Sequence, residues 1–379
     1  MPESFLYPLS PVFYLAGIFI AFFASLLILG KAGKAKADYI LALWFIIIGV
    51  HLIFFVWLLS GTYIRFPYFL GLEIPFPLIH GPILYLYVRS LTDSRQDRNM
   101  GWVHLIPVLI VYMILAEFFM LTPEEKLRIY KDGGGNYRTL RKYISILVII
   151  SGILYVILSF LAVKNYRKRI SGLYSNTEKI SLKWLYYLIT AIGLIWIAVI
   201  LKNDVLIFSL VVMFILSAAY FGITHIGILN EQRINKAENR ENVINKAVSS
   251  VSKYENTFAG EDTLQAIYHQ LTMKMEKEKL FMDPELNLNY VAKILEVHPN
   301  LLSQTINFIE NKNFYDYINR QRIEEFKRIS VLPENDKFTI LSLAFESGFN
   351  SKTSFNRNFK KYTGCSPREF LKNKNVSVE

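Results

Sequence analysis

The chain has little of what most catalytic or metal centres are made from. One cysteine, Cys365, leaves no partner for an internal disulfide and no ligand set for a cysteine-based metal site. Six histidines are present, but no two lie four residues apart on one helical pattern, the spacing of a helical zinc site. The glycine run GGGN at 133–136 follows no strand pattern, so it does not qualify as a phosphate-binding loop. Nothing supplies a nucleophile beside a base. The chain therefore reads as no enzyme, with no catalytic residues, no metal and no cofactor. Charge is scarce as well: 19% of residues are charged against 53% apolar. That is too apolar for a soluble protein with this many lysines, so the apolar excess must be segregated.

Charge is also unevenly spread. The net value of +11 suggests nucleic acid. From residue 227 onward, however, there are 22 Lys and Arg against 20 Asp and Glu, which leaves 20 against 11 for the first 226 residues. Most of the basic excess thus belongs to the apolar half. Length allows two or three domains. Three stretches follow from composition: a membrane domain at 1–228, linker and signalling helices at 229–280, and a compact tail at 281–374.

Long apolar windows fill the first stretch, at approximately 8–30, 39–61, 101–121, 143–163, 184–202 and 204–228, each long enough to cross a hydrocarbon core of ~30 Å. A further window, 67–89, contains Glu73 and four prolines. With it the expected fold is an all-α, seven-helix membrane bundle; without it there are six spans and both chain ends lie on one side. With seven spans and the N-terminus outside, inner loops hold 12 Lys and Arg and outer loops 8. The short inner loop KAGKAK and the run KNYRKR set the orientation most clearly. No cleavage site follows the first apolar segment, so it reads as a retained helix. Polar residues within spans are the ordinary functional candidates: His51, Glu73, His80, His104, Glu117 and His225. Glu73 and His80, beside the prolines of the third span, are the candidates for a ligand or signal site, since broken helices expose backbone to a cavity. The alternative is structural: His104 and Glu117 at the two interfaces, and His51 bonded to a neighbouring helix. Retinal is disfavoured, because the seventh span has no lysine for a Schiff base.

Apolarity falls after Ile228. Ile234, Ala237, Ile244, Val248 and Val251 recur at three- and four-residue steps, an imperfect seam at 234–251 that would pair two chains as a homodimer. An ordinary amphipathic linker helix fits equally well. Another helix is expected from Asp262 to Leu280.

The tail carries its information near its end. Ile340, Leu343 and Ala344 form a short helical pattern that stops at Gly348, and a second helix follows Asn350, a suitable N-cap. Phe355, Phe359 and Tyr362 form its apolar stripe, with Thr353, Asn356, Arg357 and Lys360 opposite. Alone, this fits a DNA-reading helix or an amphipathic surface helix. An earlier copy decides between them: from Leu288, LNYVAKILEVHPNLLSQTINFIENKNFYDYI lays onto the closing stretch with one residue inserted in the later copy. Leu302 matches Phe355, Ile306 matches Phe359, Tyr317 matches Phe370 and Ala292 matches Ala344. His298 takes the place of Asn350, followed by Pro299 at the first helical position. Asn300, Ser303, Gln304 and Asn307 fall at the outward angles. A helix from about Phe314 to Ser330 joins the units, so that the pair would read two successive major grooves.

Paired units, the connecting NFYDYINRQRIEEFKRI and the closing FESGFNSKTSFNRNFKKYTGCSPREF resemble the AraC/XylS family of transcription regulators over Asp283 to Leu371, about a quarter of the chain. The resemblance implies a tandem helix-turn-helix DNA-binding domain whose third and sixth helices enter the major groove. By position it implies base contacts from Asn300, Ser303 and Gln304, then from Lys352, Thr353, Asn356 and Arg357. Lys360 is the phosphate-contact candidate. Gln304 stands where many relatives have a basic residue, which implies either weaker binding in the first half or a preference there for adenine.

The expectation is a membrane-bound one-component transcription regulator in the bacterial inner membrane, with the N-terminus outside and the tail in the cytoplasm. Its partners would be double-stranded DNA, the lipid bilayer and an unidentified small-molecule or membrane signal. The competing reading is a membrane transporter or enzyme with a regulatory helix-turn-helix tail.

Overall fold

The computed structural model describes residues 9–92, 101–178, 180–222 and 260–376. Among them the protein is all-α: helices and turns with one isolated bridge and no strand. The chain divides into two compact units. Described residues up to 166, together with 182–222, make the first; 167–181 and 260–376 fall in the second. The seam expected at 234–251 and the span residue His225 lie outside the described residues.

The first unit contains α1 (Leu9–Gly30), α2 (Lys36–Leu59), α3 (Pro77–Thr92), α4 (Ile106–Ile114), α5 (Ala116–Phe119), α6 (Pro123–Lys131), α7 (Arg138–Ser171, whose last turn counts with the second unit), α8 (Lys183–Ile200) and α9 (Asp204–Gly222). Five helical stretches are long and apolar enough to cross a membrane: Val12–Gly30, Lys36–Leu59, Gly135–Ser171, Lys183–Ile200 and Asp204–Gly222. The expected third and fourth spans differ. The window 67–89 opens with a 3-10 turn at Pro67–Phe69, and its α-helix starts only at Pro77. Proline has no amide hydrogen and bars its predecessor from the α region, so Pro75 and Pro77 keep the helix from starting earlier. The 16 residues of α3 reach about 24 Å. The window 101–121 is divided into a 3-10 turn at Trp102–Leu105, α4 and α5.

Small residues sit where these helices meet. A Cβ on Gly152 would lie 2.2 Å from the Trp196 ring, so only glycine lets α7 accept that indole. Ala21, Ala24 and Ala42 are fully buried beside Trp44 and Phe45. Large apolar side chains such as Phe19, Leu26, Ile53, Ile150, Ile157 and Leu194 face outward. In water such a surface would be costly; against hydrocarbon it is the favourable one.

In the second unit, α10 (Glu261–Glu278) precedes α11 (Leu288–Ile294), α12 (Pro299–Glu310), α13 (Phe314–Ile329), α14 (Ile340–Glu346), α15 (Lys352–Thr363) and α16 (Pro367–Val376). The helices expected at 262–280 and 314–330 are there, within two residues at each end. Helix α13 joins two cores. Its first half places Phe314, Tyr317 and Ile318 against Leu302 and Ile306, together with Ile267, Leu271 and Met275 of α10. Its second half places Ile323, Phe326 and Ile329 against Leu343, Phe355 and Phe359. Each buried phenylalanine there contributes about 1.5–3 kcal/mol by leaving water.

Candidate nucleic-acid interface

The two halves of the tail repeat down to single backbone groups. Ala292 and Ala344 are fully buried. The carbonyl of Ala292 accepts from the amide of Val297 at 2.9 Å, and that of Ala344 from Phe349 at 3.1 Å. Each turn has one residue with positive φ, Glu296 at 56° and Gly348 at 97°. The second helix of each unit also ends in a left-handed residue, Asn311 after α12 and Gly364 after α15. Gly348 is required twice over: by its φ, and because a Cβ would lie 2.5 Å from the carbonyl oxygen of Phe281.

One expected feature is corrected. Asn350 does not cap α15. The cap is Ser351, whose Oγ accepts from the Ser354 amide at 3.3 Å. In the first unit His298 is the cap as expected, its Nδ1 accepting from the Asn300 amide at 3.2 Å. His298 therefore pairs with Ser351, and the inserted residue falls within the turn, where added length leaves both helices in phase.

The outward faces lie where the repeat places them. On α15, Lys352, Thr353, Asn356, Arg357 and Lys360 are exposed, opposite buried Phe355 and Phe359. On α12, Asn300 and Asn307 are exposed, Ser303 and Gln304 are half-buried, and Leu302 and Ile306 face the core. The second face is basic, whereas the first carries amides and a hydroxyl.

Bonds between residues far apart in sequence, which helical periodicity does not encode, tie these helices to their neighbours. Arg357 donates from Nη2 to the Tyr315 hydroxyl at 2.7 Å, and buried Asn358 donates to the same oxygen at 2.7 Å. Lys361 meets Asp316 at 2.6 Å, and the Tyr362 hydroxyl donates to the Asp316 carbonyl. Helix α15 is thus fastened to the start of α13, and the Arg357 guanidinium is aimed by one bond with its other donors remaining. At the end of α12, Glu310 accepts from the Tyr268 hydroxyl, Lys312 and Arg320. Burial alone would raise its carboxyl, but these bonds and charges hold it below the ordinary value. On α13, the bonds from Arg328 and Lys279 hold Glu325 down at about 2.

The signal candidates of the first unit form two separate networks. His80 accepts from the Trp44 indole at 3.2 Å on Nδ1, and its Nε2 lies 3.0 Å from His51 Nδ1. The structural role expected for His51, a bond to a neighbouring helix, is therefore present. Glu73 accepts from the Gly71 amide at 2.9 Å and from the Tyr130 hydroxyl. Beside Glu73 is an apolar recess walled by Ile74, Phe118, Ile129 and Ile144, with Tyr130 and Arg141 on its lining. Among the described residues, no three His, Cys, Asp or Glu side chains converge as metal ligands.

Two helix-turn-helix units on a shared connecting helix, each with an outward polar face, define the class: a DNA-binding domain of transcription regulators. Comparison bears this out: the helix-turn-helix domain family matches residues 291–373, so this chain carries an AraC-type helix-turn-helix domain there. One solved structure, that of a protein of unknown function from Listeria innocua, is 25% identical, covering 28% of this chain and 94% of its own, with a TM-score of 0.24. The comparison with curated proteins finds no match.

Proposed function

We propose that this protein is a membrane-bound one-component transcription regulator. In this reading α12 and α15 read two major-groove segments of one duplex, with Asn300, Ser303, Gln304, Lys352, Thr353, Asn356 and Arg357 at base edges and Lys360 on phosphate. The observation that carries the reading is the exposure of matched polar faces on two helices whose opposite faces build two cores on one connecting helix. Outward-facing Phe, Leu and Ile side chains along the long apolar helices support an inner-membrane location for the first unit. Lysines of the first inner loop and the run KNYRKR at the end of α7 support an external N-terminus and a cytoplasmic tail. Glu73 with its recess, and His80 with its indole and imidazole partners, are where a small-molecule or membrane signal would act. Such a signal works by binding one state better than another and shifting the population. Homodimer pairing through 234–251 belongs to the same proposal.

The test is selection from a random-sequence duplex pool by the full chain in lipid nanodiscs. The expected product is a bipartite motif whose half-sites lie roughly one helical turn, about 10 base pairs, apart. A pool that stays unenriched at low salt sinks the DNA-reading proposal.

A further inference from the structure

The segment that joins α7 to α8 in sequence is part of the DNA-binding unit in space. Residues 173–175 run antiparallel to 286–288, just ahead of α11: the Ser175 amide donates to the Leu286 carbonyl at 3.2 Å, and the Leu288 amide to the Leu173 carbonyl at 2.9 Å. Leu173 packs on the core shared by α10, α12 and α13. Ser175 is buried, and its carbonyl accepts from Asn319 at 2.9 Å and from Arg322 at 3.4 Å. Its hydroxyl donates to the Leu286 carbonyl at 2.6 Å and accepts from Arg322 at 3.0 Å. Arg322, only 1% exposed, also donates to the carbonyls of Phe281 and Asp283, and its guanidinium lies 5.8 Å from the Phe349 ring. Further along the segment, the Asn176 amide donates to the Asn350 side-chain oxygen at 2.6 Å.

These contacts fall on three functional places: the entry to α11, the middle of the connecting helix and the turn that leads into α15. A buried arginine and a buried asparagine have part of their bonding completed by a residue far outside the tail. Leaving such groups short of acceptors is costly, so the bound arrangement is a specific one. At the Asn350 end, the segment reaches the N-terminal side of the second reading helix, the side whose residues approach base edges. The Glu178 amide donates to the Asn176 side chain at 3.1 Å and so helps to orient it toward Asn350.

We propose that residues 172–178 are an inhibitory arm: a segment lying between two long apolar helices that clips onto the connecting helix and the second helix-turn-helix turn, and holds DNA off α15. The proposal rests on the reading of the tail as a DNA binder governed by the membrane half. It adds the route, because α7 and α8 are the direct continuations of the arm, and a rearrangement of either pulls on it.

The arm can be locked. In the full chain carrying Cys365→Ser, with Asn176→Cys and Asn350→Cys, reconstituted in nanodiscs, mild oxidation should form the 176–350 disulfide. Affinity is then read on a random-sequence duplex of roughly 40 base pairs, long enough for two grooves one turn apart. The oxidised chain is expected to bind at least about tenfold more weakly than the same chain after reduction. Asn176→Ala in the wild-type background, which removes the clip without a crosslink, is expected to bind more tightly than wild type. Failure of the disulfide to form, or an oxidised chain that binds as well as or better than the reduced one, overturns the arm. If wild-type and reduced chains bind no duplex at all, the DNA reading itself fails, and the arm as an inhibitor of DNA binding fails with it.

Discussion

The two helix-turn-helix units share a skeleton and differ in what they display. Both have a buried alanine in the first helix, a left-handed turn residue, a capped second helix and a left-handed stop. Yet α15 shows Lys352, Arg357 and Lys360, while α12 shows Asn300, Ser303 and Gln304. Packing is therefore common to both copies, and the face is where they diverged. In the proposed reading, the second unit would supply phosphate attraction and guanine contacts, and the first amide contacts of the kind that suit adenine. They also differ in how they are fastened: α12 bonds through Glu310 to Tyr268 and Arg320, whereas α15 uses more side chains. Four side chains of α15 bond to Tyr315 and Asp316 at the start of α13, or pair with them, and one of these is Arg357 of the basic face itself.

The largest test of this contrast is at the turns. Gly348→Ala should cost about 3 kcal/mol or more, since it combines a left-handed φ with a clash against backbone. Glu296→Gly, at the equivalent place in the first unit, should change stability by less than about 1 kcal/mol, because glycine relieves the strain it adds in chain entropy. Hydrogen exchange across α11 to α15 in the full chain reads both; equal effects would mean that the turns are not held differently. Next comes Tyr315→Phe, which removes the hydroxyl that accepts from Arg357 and is one of the acceptors of buried Asn358. A loss of about 1–3 kcal/mol is expected, concentrated in α15 and accompanied by weaker base preference in its half-site. Protection that fell equally in α12 would show that the attachment is shared by the whole domain.

Two further substitutions sharpen the difference between the faces. Arg357→Ala should cost about 1–3 kcal/mol at one base pair and relax preference there, whereas Gln304→Ala should cost less. Binding to a panel of single-base variants gives both values, and an order with Gln304 dominant would reverse the assignment. Smallest is Lys360→Ala, which should weaken binding to all sequences alike and flatten the logarithmic salt dependence by about 0.9. Titration at several salt concentrations measures that slope.

Much of this was legible before any coordinates. The bounds of α13, the stripes Leu302–Ile306 and Phe355–Phe359, and the polar faces opposite them follow from periodicity within a few turns. The internal repeat then made one unit a check on the other. The cap of α15 is one residue later than the pattern suggests, because Asn350 and Ser351 are both good caps. Only the dihedral angles of the turn decide which one sits at the helix start. The third apolar window read as a span by composition, but Pro75 and Pro77 shorten its helix from within. Nothing in the periodicity pointed to Tyr315 as the acceptor for Arg357, nor to Ser175 as the partner of Arg322, because those pairs are 42 and 147 residues apart.

The all-α character, the segregation of apolar from polar halves, and the tandem units with their outward faces can be read along the chain, because each depends on local composition or on a pattern that repeats every three or four residues. Tertiary structure alone decided which carbonyls and hydroxyls meet the buried arginine and asparagine of the connecting helix. It also brought a segment from between two apolar helices onto the DNA-binding unit. Helical periodicity is a local property of the chain. The satisfaction of a buried polar group is not: it depends on whichever donor or acceptor the fold brings within 3 Å, and neighbouring residues do not encode that.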